Sequence, residues 1–208
     1  MKHPLNPNEQ PVSHQPSDSN GRDPAQIRMA TLEDAQAYSE FANALFAENL
    51  PTMIPRSRPA ASEQILQFLS EHTGEKSALL LAEAQGQLVG TLDLTRLNRP
   101  HIDHRVVLGL SVARTFRRRG IGALLLKRGI AWVKTNPALT RIELEVLKNN
   151  AGAISLYKNF GFLVEGEKRN AVCGPDGPVN ILMMGLLLEP AADRELSLAA
   201  PLLGNIVP

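Results

Sequence analysis

Apolar residues recur along this 208-residue chain in two rhythms, and the rhythms divide it into elements. In "IRMATLEDAQAYSEFANALF", Leu32, Ala35, Tyr38 and Ala42 share one helical face, and Thr31 with Asp34 approximates a capping box. After the connector "NLPTMIPRSRP", Ile65, Leu66, Phe68 and Leu69 in "ASEQILQFLSEH" give a second helix. These two helices precede any strong strand signal. "SALLLAEAQGQLVGTLDLTRL" then reads as a hairpin turning at Gln85, Gly86 and Gln87. "RVVLGLSV" is a third strand, followed by a long helix from Gly120. "RIELEV" is a fourth, with Ile142, Leu144 and Val146 on one face and Glu143 and Glu145 on the other. "AGAISLYKNF" is a short helix stopped by Gly161, and "FLVEGEKR" and "NILMMGLLL" form a last pair across "CGPDGP". This order predicts a single mixed α/β domain, α+β in character.

The ends have a different texture. Residues 1–25 are rich in Pro, Ser, Asn and Gln without apolar periodicity, the signature of a disordered tail. The predicted domain covers residues 26–189. Residues 190–208 form a C-terminal tail whose Leu196, Leu198, Leu202 and Leu203 would dock on the domain or a partner. A homodimer through the last strand or this tail is compatible with the pattern, but no specific feature calls for one.

Composition narrows the function. Hydrophobic residues at 43% and charged ones at 21% suit one well-packed domain. A net charge of +1 argues against a general nucleic-acid or membrane binder. No apolar run approaches the ~18–20 residues that span a bilayer. The first twenty residues carry no apolar stretch of a secretory signal, so a cytoplasmic protein is expected. The single cysteine, Cys173, excludes an internal disulfide and a cysteine-rich zinc site, and no metal is expected.

One stretch carries candidate chemistry. In "SVARTFRRRGIGALLLKRGIAWV", Arg117, Arg118 and Arg119 precede Gly120 and Gly122 at the head of an apolar helix. A strand, a glycine-rich turn and a helix together present unpaired backbone N–H groups and the positive end of a dipole to an anion. The arginines add charge where a diphosphate would lie. A solvated basic loop is the plainer alternative. The P-loop spacing is absent, and Leu125 stands where a dinucleotide fingerprint needs its third glycine. Only Phe116 interleaves the basic run, so no stacking platform for nucleic-acid bases is present.

The downstream residues add a resemblance. Arg117-x-x-Gly120-x-Gly122 after "LGLSV" resembles the [RQ]-x-x-G-x-[GA] signature of the GNAT superfamily of acyl-CoA-dependent N-acetyltransferases. "LEVLKNNAGAISLYKNFGF" resembles that superfamily's second motif almost position for position, and "GPDGPVNILMMGLLL" looks like its closing hairpin. The resemblance spans roughly residues 26–189. It implies a GNAT fold, a central, mostly antiparallel mixed sheet with a splayed parallel strand pair and flanking helices. It also implies acetyl-CoA as acyl-donor co-substrate and direct transfer to an amine in a ternary complex. The acceptor would be a small molecule, a peptide N-terminus or a lysine. A non-catalytic acyl-CoA-binding regulatory module on the same fold is the alternative.

The resemblance also assigns residues. Backbone groups of Leu110 and Val112 would bond the pantetheine arm, and the backbone of Arg118, Arg119, Gly120, Ile121, Gly122 and Ala123 would hold the pyrophosphate. Relatives carry glycine where Arg118 stands, so a positive φ there would strain an arginine by about 1 kcal/mol or more. Gly109 would mark a bulge or serve packing. Asn150 reads as a helix N-cap, to which the resemblance adds a contact with the donor's arm. Tyr157 reads as core or, by resemblance, as the acid that protonates the departing thiolate. Glu145 is the matching base, or else a strand carboxylate paired with Arg141 or Lys148. Glu143 and His104 are weaker candidates for the base. No histidine follows Cys173 to support an acyl relay.

Overall fold

The computed structural model describes residues 25–48, 61–174 and 177–189. The two tails and the connector at 49–60 lie outside the described residues, as do Pro175 and Asp176 of the last turn. Seven strands form one sheet: β1 (Gln26–Met29), β2 (Ala78–Ala84), β3 (Gln87–Arg96), β4 (Arg105–Val112), β5 (Arg141–Leu147), β6 (Leu163–Gly174) and β7 (Gly177–Leu187). Their order is β1-β2-β3-β4-β5-β7-β6, antiparallel except for the pair β4 and β5. Four α-helices complete the described residues: α1 (Ala35–Ala47), α2 (Ser62–His72), α3 (Ile121–Thr135) and α4 (Ala151–Asn159).

The expected order of elements holds with one correction. A strand, β1, precedes the two helices and pairs with β2. Ile27 and Met29 alternate with Gln26 and Arg28, but four residues are too short a run to announce a strand ahead of the helical pattern. Arg28 fastens it, pairing with Asp34 at 2.6 Å and with Glu83 of β2 at 2.5 Å. The Thr31 N–H donates to Asp34 Oδ2 at 2.7 Å, one half of the expected capping box, ahead of a single 3-10 turn at Leu32–Asp34. The helical faces differ in detail from the reading. Leu32 and Leu66 are exposed, whereas Phe41, Ala42 and Leu45 of α1 and Ile65, Leu69 and His72 of α2 are buried.

Two cores flank the sheet. The larger lies under α3 and α4, where Leu92, Leu94, Val106, Leu125, Leu126, Ile142 and Leu144 are buried together. Each such leucine contributes about 1.5–3 kcal/mol of apolar transfer. The smaller sits under α1 and α2 around Leu69, Leu79 and Leu81. Between them β2 is buried on both faces, which is why its sequence is a continuous apolar run. Gly129 lets α3 settle low on β3: a Cβ there would stand 2.7 Å from Leu92 Cδ2. The β2–β3 turn uses Gln85 and Gly86, both at positive φ, as a two-residue hairpin requires.

The parallel pair is short. Only Arg105, Val106 and Val107 pair with Arg141, Ile142 and Glu143; beyond them β4 and β5 part. The separation of two parallel strands leaves an opening whose walls are backbone.

Candidate active site

The opening between β4 and β5 continues into a cleft of about 490 Å³. Its walls are Leu110 to Val112 of β4, the turn from Arg117 to Ala123, and Asn150 to Tyr157 of α4. Ten of the residues expected to hold a donor line this cleft: Leu110, Val112, Arg117, Arg118, Gly120, Ile121, Gly122, Ala123, Asn150 and Tyr157. Arg119 and Glu145 do not.

The turn explains itself locally. A 3-10 turn at Arg114–Phe116 follows β4 and sinks Phe116 into the core. Arg119 then lies over the Phe116 ring, 4.9 Å from its centroid. Arg117 folds back, donating from Nε to the Val112 carbonyl at 2.8 Å and from Nη2 to Glu48 Oε2 at 2.8 Å. Two of the three arginines therefore brace the turn instead of lending charge to the cleft. Arg118 is left to reach across: its Nη1 would lie 3.8 Å from a Cβ at Gly152, on the far wall.

Backbone shape follows. Arg118 sits at φ 62° and Gly120 at φ 81°, so the strain foreseen for an arginine at this position is present. Gly120 N-caps α3, and the helical ladder begins only where Leu124 N–H donates to the Gly120 carbonyl at 3.0 Å. The N–H groups of Ile121, Gly122 and Ala123 fall outside that ladder, at the positive end of the helix dipole. An anion of diphosphate size fits that donor set.

Asn150 performs its cap, accepting from Ala153 N–H at 3.2 Å, while also lining the cleft. Tyr157 is buried and stacks obliquely on Phe162, ring centroids 5.7 Å apart. Burial first, and the charge of Asp93 second, push its phenol up to about 12. The phenol therefore keeps its proton across the physiological range.

The acceptor-side candidates scatter. Glu145 is exposed and pairs with Lys168 of β6, not with Arg141 or Lys148. Glu143 lies between Arg105 at 3.2 Å and Arg141 at 3.1 Å. His104 gives its carbonyl to Thr140 N–H at the β4 entrance. Cys173 is exposed on β6. Gly109 marks no bulge, since β3 and β4 stay in register through it. What it admits is Asp93, whose carboxyl occupies the space a side chain would need. Sequence reasoning missed Asp93; an acid alternating with buried Leu92 and Leu94, opposite a strand glycine, was the available signal. Among the described residues, no cluster of His, Cys, Asp or Glu is arranged to hold a metal, and no helix is long and apolar enough to cross a membrane.

Among the described residues, then, a mixed sheet forks at its one parallel pair, with an anion-ready helix end at the fork. The sequence profile of the Acetyltransferase (GNAT) family matches residues 41–162, more than half the chain, and the protein belongs to that family of acyl-transferring enzymes. It is 34% identical over 98 residues to the L-amino acid N-acetyltransferase AaaT of Escherichia coli, covering 47% of this chain and 59% of that protein. It is 30% identical over 147 residues to an N-alpha-acetyltransferase of Sulfolobus acidocaldarius, covering 66% of this chain and 79% of that one. Among solved structures, a GNAT acetyltransferase from Streptococcus pneumoniae superposes with a TM-score of 0.71 at 26% identity, over 80% of this chain and 100% of the other. yncA of Salmonella typhimurium, a structure that holds its cofactor acetyl-CoA, shares the fold at TM-score 0.71 and 18% identity, over 80% of this chain and 95% of that one.

Proposed function

We propose that the protein transfers the acetyl group of acetyl-CoA to the α-amino group of an amino acid or polypeptide by direct attack in a ternary complex. The observation that carries this reading is one continuous cleft that joins the anion-ready head of α3, the open edge of β4 and the buried phenol of Tyr157. The relatives named for acetylating L-amino acids and N-alpha groups support the α-amine.

Each residue then has a task. The N–H groups of Ile121 to Ala123 and the Arg118 guanidinium hold the diphosphate. The edge of β4 at Leu110 and Val112, unpaired once β5 departs, aligns the pantetheine arm as an added strand would. Asn150 caps α4 and so fixes Tyr157 about two turns further on. Tyr157 donates its proton to the departing thiolate. Because a phenol near 12 is a weaker acid than a thiol near ~8.5, that transfer is favourable only if the phenol regains a proton from the attacking nitrogen in the same event. An α-amine suits such a site, since about one in ten is already neutral at pH 7 against fewer than one lysine in a thousand. Glu145 is bound to Lys168 and so is not free to act as the base, and an ordered water would relay the proton that Tyr157 does not take.

Calorimetric titration with acetyl-CoA, with ATP and NAD as controls, tests the donor half. Selective micromolar binding that weakens at least tenfold in Gly120→Glu is expected. Binding without acetylation of any amino acid or amino-terminal peptide would instead favour a non-catalytic acyl-CoA-binding module.

A further inference from the structure

Asp93 is unexplained by the fold. It stands on β3 between Leu92 and Leu94, which point into the larger core, so its own side chain faces the α1 and α2 side of the sheet. Across the ladder it meets Gly109, two residues beyond Val107, where pairing between β4 and β5 ends. The carboxyl lies over Gly109: a Cβ there would stand 2.9 Å from both Cγ and Oδ2, and closer still to Oδ1. A glycine at this point of β4 lets an acid on β3 extend across the strand toward the fork. The site is thus built from two chain segments, each of which is an oddity alone.

Charge distinguishes it further. Glu143, Glu145, Glu165 and Glu167 on the neighbouring strands are all neutralised by Arg or Lys. Among the described residues Asp93 forms no ion pair; its oxygens take backbone N–H bonds from itself and Gly109. The groups that titrate or carry charge around it come from every side. His72 of α2 approaches through Thr95, the next residue on the Asp93 face, with Nε2 at 2.8 Å from Thr95 Oγ1 and Nδ1 donating to the Phe68 carbonyl at 2.7 Å. Tyr157 of α4 is close enough for the two charges to interact. Arg105, Glu143 and Arg141 form a neutralised cluster on the same sheet face, and β2 presents Leu79. A partly buried carboxylate outside any ion pair, beside the point where β4 and β5 part and within electrostatic reach of the Tyr157 phenol, matches an ammonium group.

We propose that Asp93 is the catalytic residue that binds the acceptor's ammonium and removes its first proton. This rests on the acetyltransferase reading above and names the group through which that site selects and activates its acceptor. The ammonium gives one proton to the Asp93 carboxylate, and its freed lone pair forms the new N–C bond to the thioester carbon. The C–S bond breaks, the sulfur takes the Tyr157 proton, and the phenolate takes the second proton from nitrogen. Asp93 then releases its proton to water, leaving amide, free thiol and one proton in solution. Burial raises the Asp93 pKa above the ordinary carboxylate value, toward the range in which a base works at neutral pH.

The test is the pH dependence of kcat/KM for wild type and Asp93→Asn, with acetyl-CoA and either free L-alanine or a lysine-free peptide beginning with alanine. Wild type should give a bell, because Asp93 must be ionised and the amine protonated. With the peptide, Asp93→Asn should lose about tenfold at pH 7 and about 100-fold at pH 6, its acid limb moving up to the pKa of the amine itself, and converge on wild type above about pH 8 as the amine loses its proton unaided. With free L-alanine, a more basic amine, the loss at neutral pH is larger and convergence comes at higher pH. Its acetyl-CoA affinity should be unchanged, which also shows that it folds. Gly109→Ala, which leaves every titrating group in place but displaces the carboxyl, should raise KM for the amine at least tenfold. An Asp93→Asn profile parallel to wild type overturns the assignment and leaves the functional reading standing. A wild type that binds acetyl-CoA but acetylates neither probe overturns both.

Discussion

The two sides of the fork are built by different means. The proposed donor side is backbone: an unpaired strand edge, three free N–H groups and a turn held by Arg117 and Arg119. The proposed acceptor side is side chains brought in from α2, β3 and β5, of which His72, Asp93 and Glu143 are the main ones, over the gap that Gly109 leaves in β4. A backbone site tolerates change in most of its side chains and is sensitive to φ. A side-chain site tolerates little at its few polar positions, yet each can move to another strand without altering the fold. One family can therefore share a donor site and differ in acceptor.

The largest expected effect sharpens this contrast. Tyr157→Phe should lower kcat about 10²–10⁴-fold with acetyl-CoA affinity unchanged, read by steady-state kinetics beside calorimetry. Equal loss of both would mean that Tyr157 shapes the donor site and does no chemistry. Next, Gly129→Ala improves helix propensity but forces a Cβ against Leu92, the neighbour of Asp93. It should cost about 1–3 kcal/mol in urea unfolding, because overpacking outweighs propensity there.

Asp34 tests a region remote from both sides. Its hydrogen bonds with Arg28 hold its carboxyl at about 2, below the ordinary 3.8. Since the folded value is the lower one, the pair stabilises fully above about pH 4, and that contribution is lost as pH falls toward 2. Asp34→Asn should lose about 1–2 kcal/mol at pH 7 and show a flatter acid limb in thermal melts. The smallest effect is Arg118→Gly. Relief of φ 62° should raise stability by less than about 1 kcal/mol, while acetyl-CoA binding weakens severalfold.

The same division explains what was legible in the sequence. The donor site is written in two contiguous runs, 110–123 and 150–161, so strand, turn, cap and helix could be read in order. Asn150 as cap followed from local chemistry, and the strain at Arg118 from the glycine that relatives carry there. Register could not be read, because nothing local says that Asp93 faces Gly109 or that Glu145 meets Lys168. Long side chains were equally opaque: Arg117 and Arg119 read as phosphate ligands, but Glu48 and Phe116, which hold them, lie on another helix and in the preceding turn. β1 was invisible since its alternation, Ile27 and Met29 against Gln26 and Arg28, lasts only four residues before the helical pattern takes over.

The shortness of the parallel ladder has a mechanical meaning. Three residue pairs at one end join β1 to β4 with β5 to β7. The sheet is in effect two plates sharing a single short weld, with α3 as the strap between them. Whatever occupies the fork replaces the missing rungs and ties plate to plate. On the proposed function, donor binding is thus also a change in stiffness, and the acceptor would meet its jaw set only after the donor is in place.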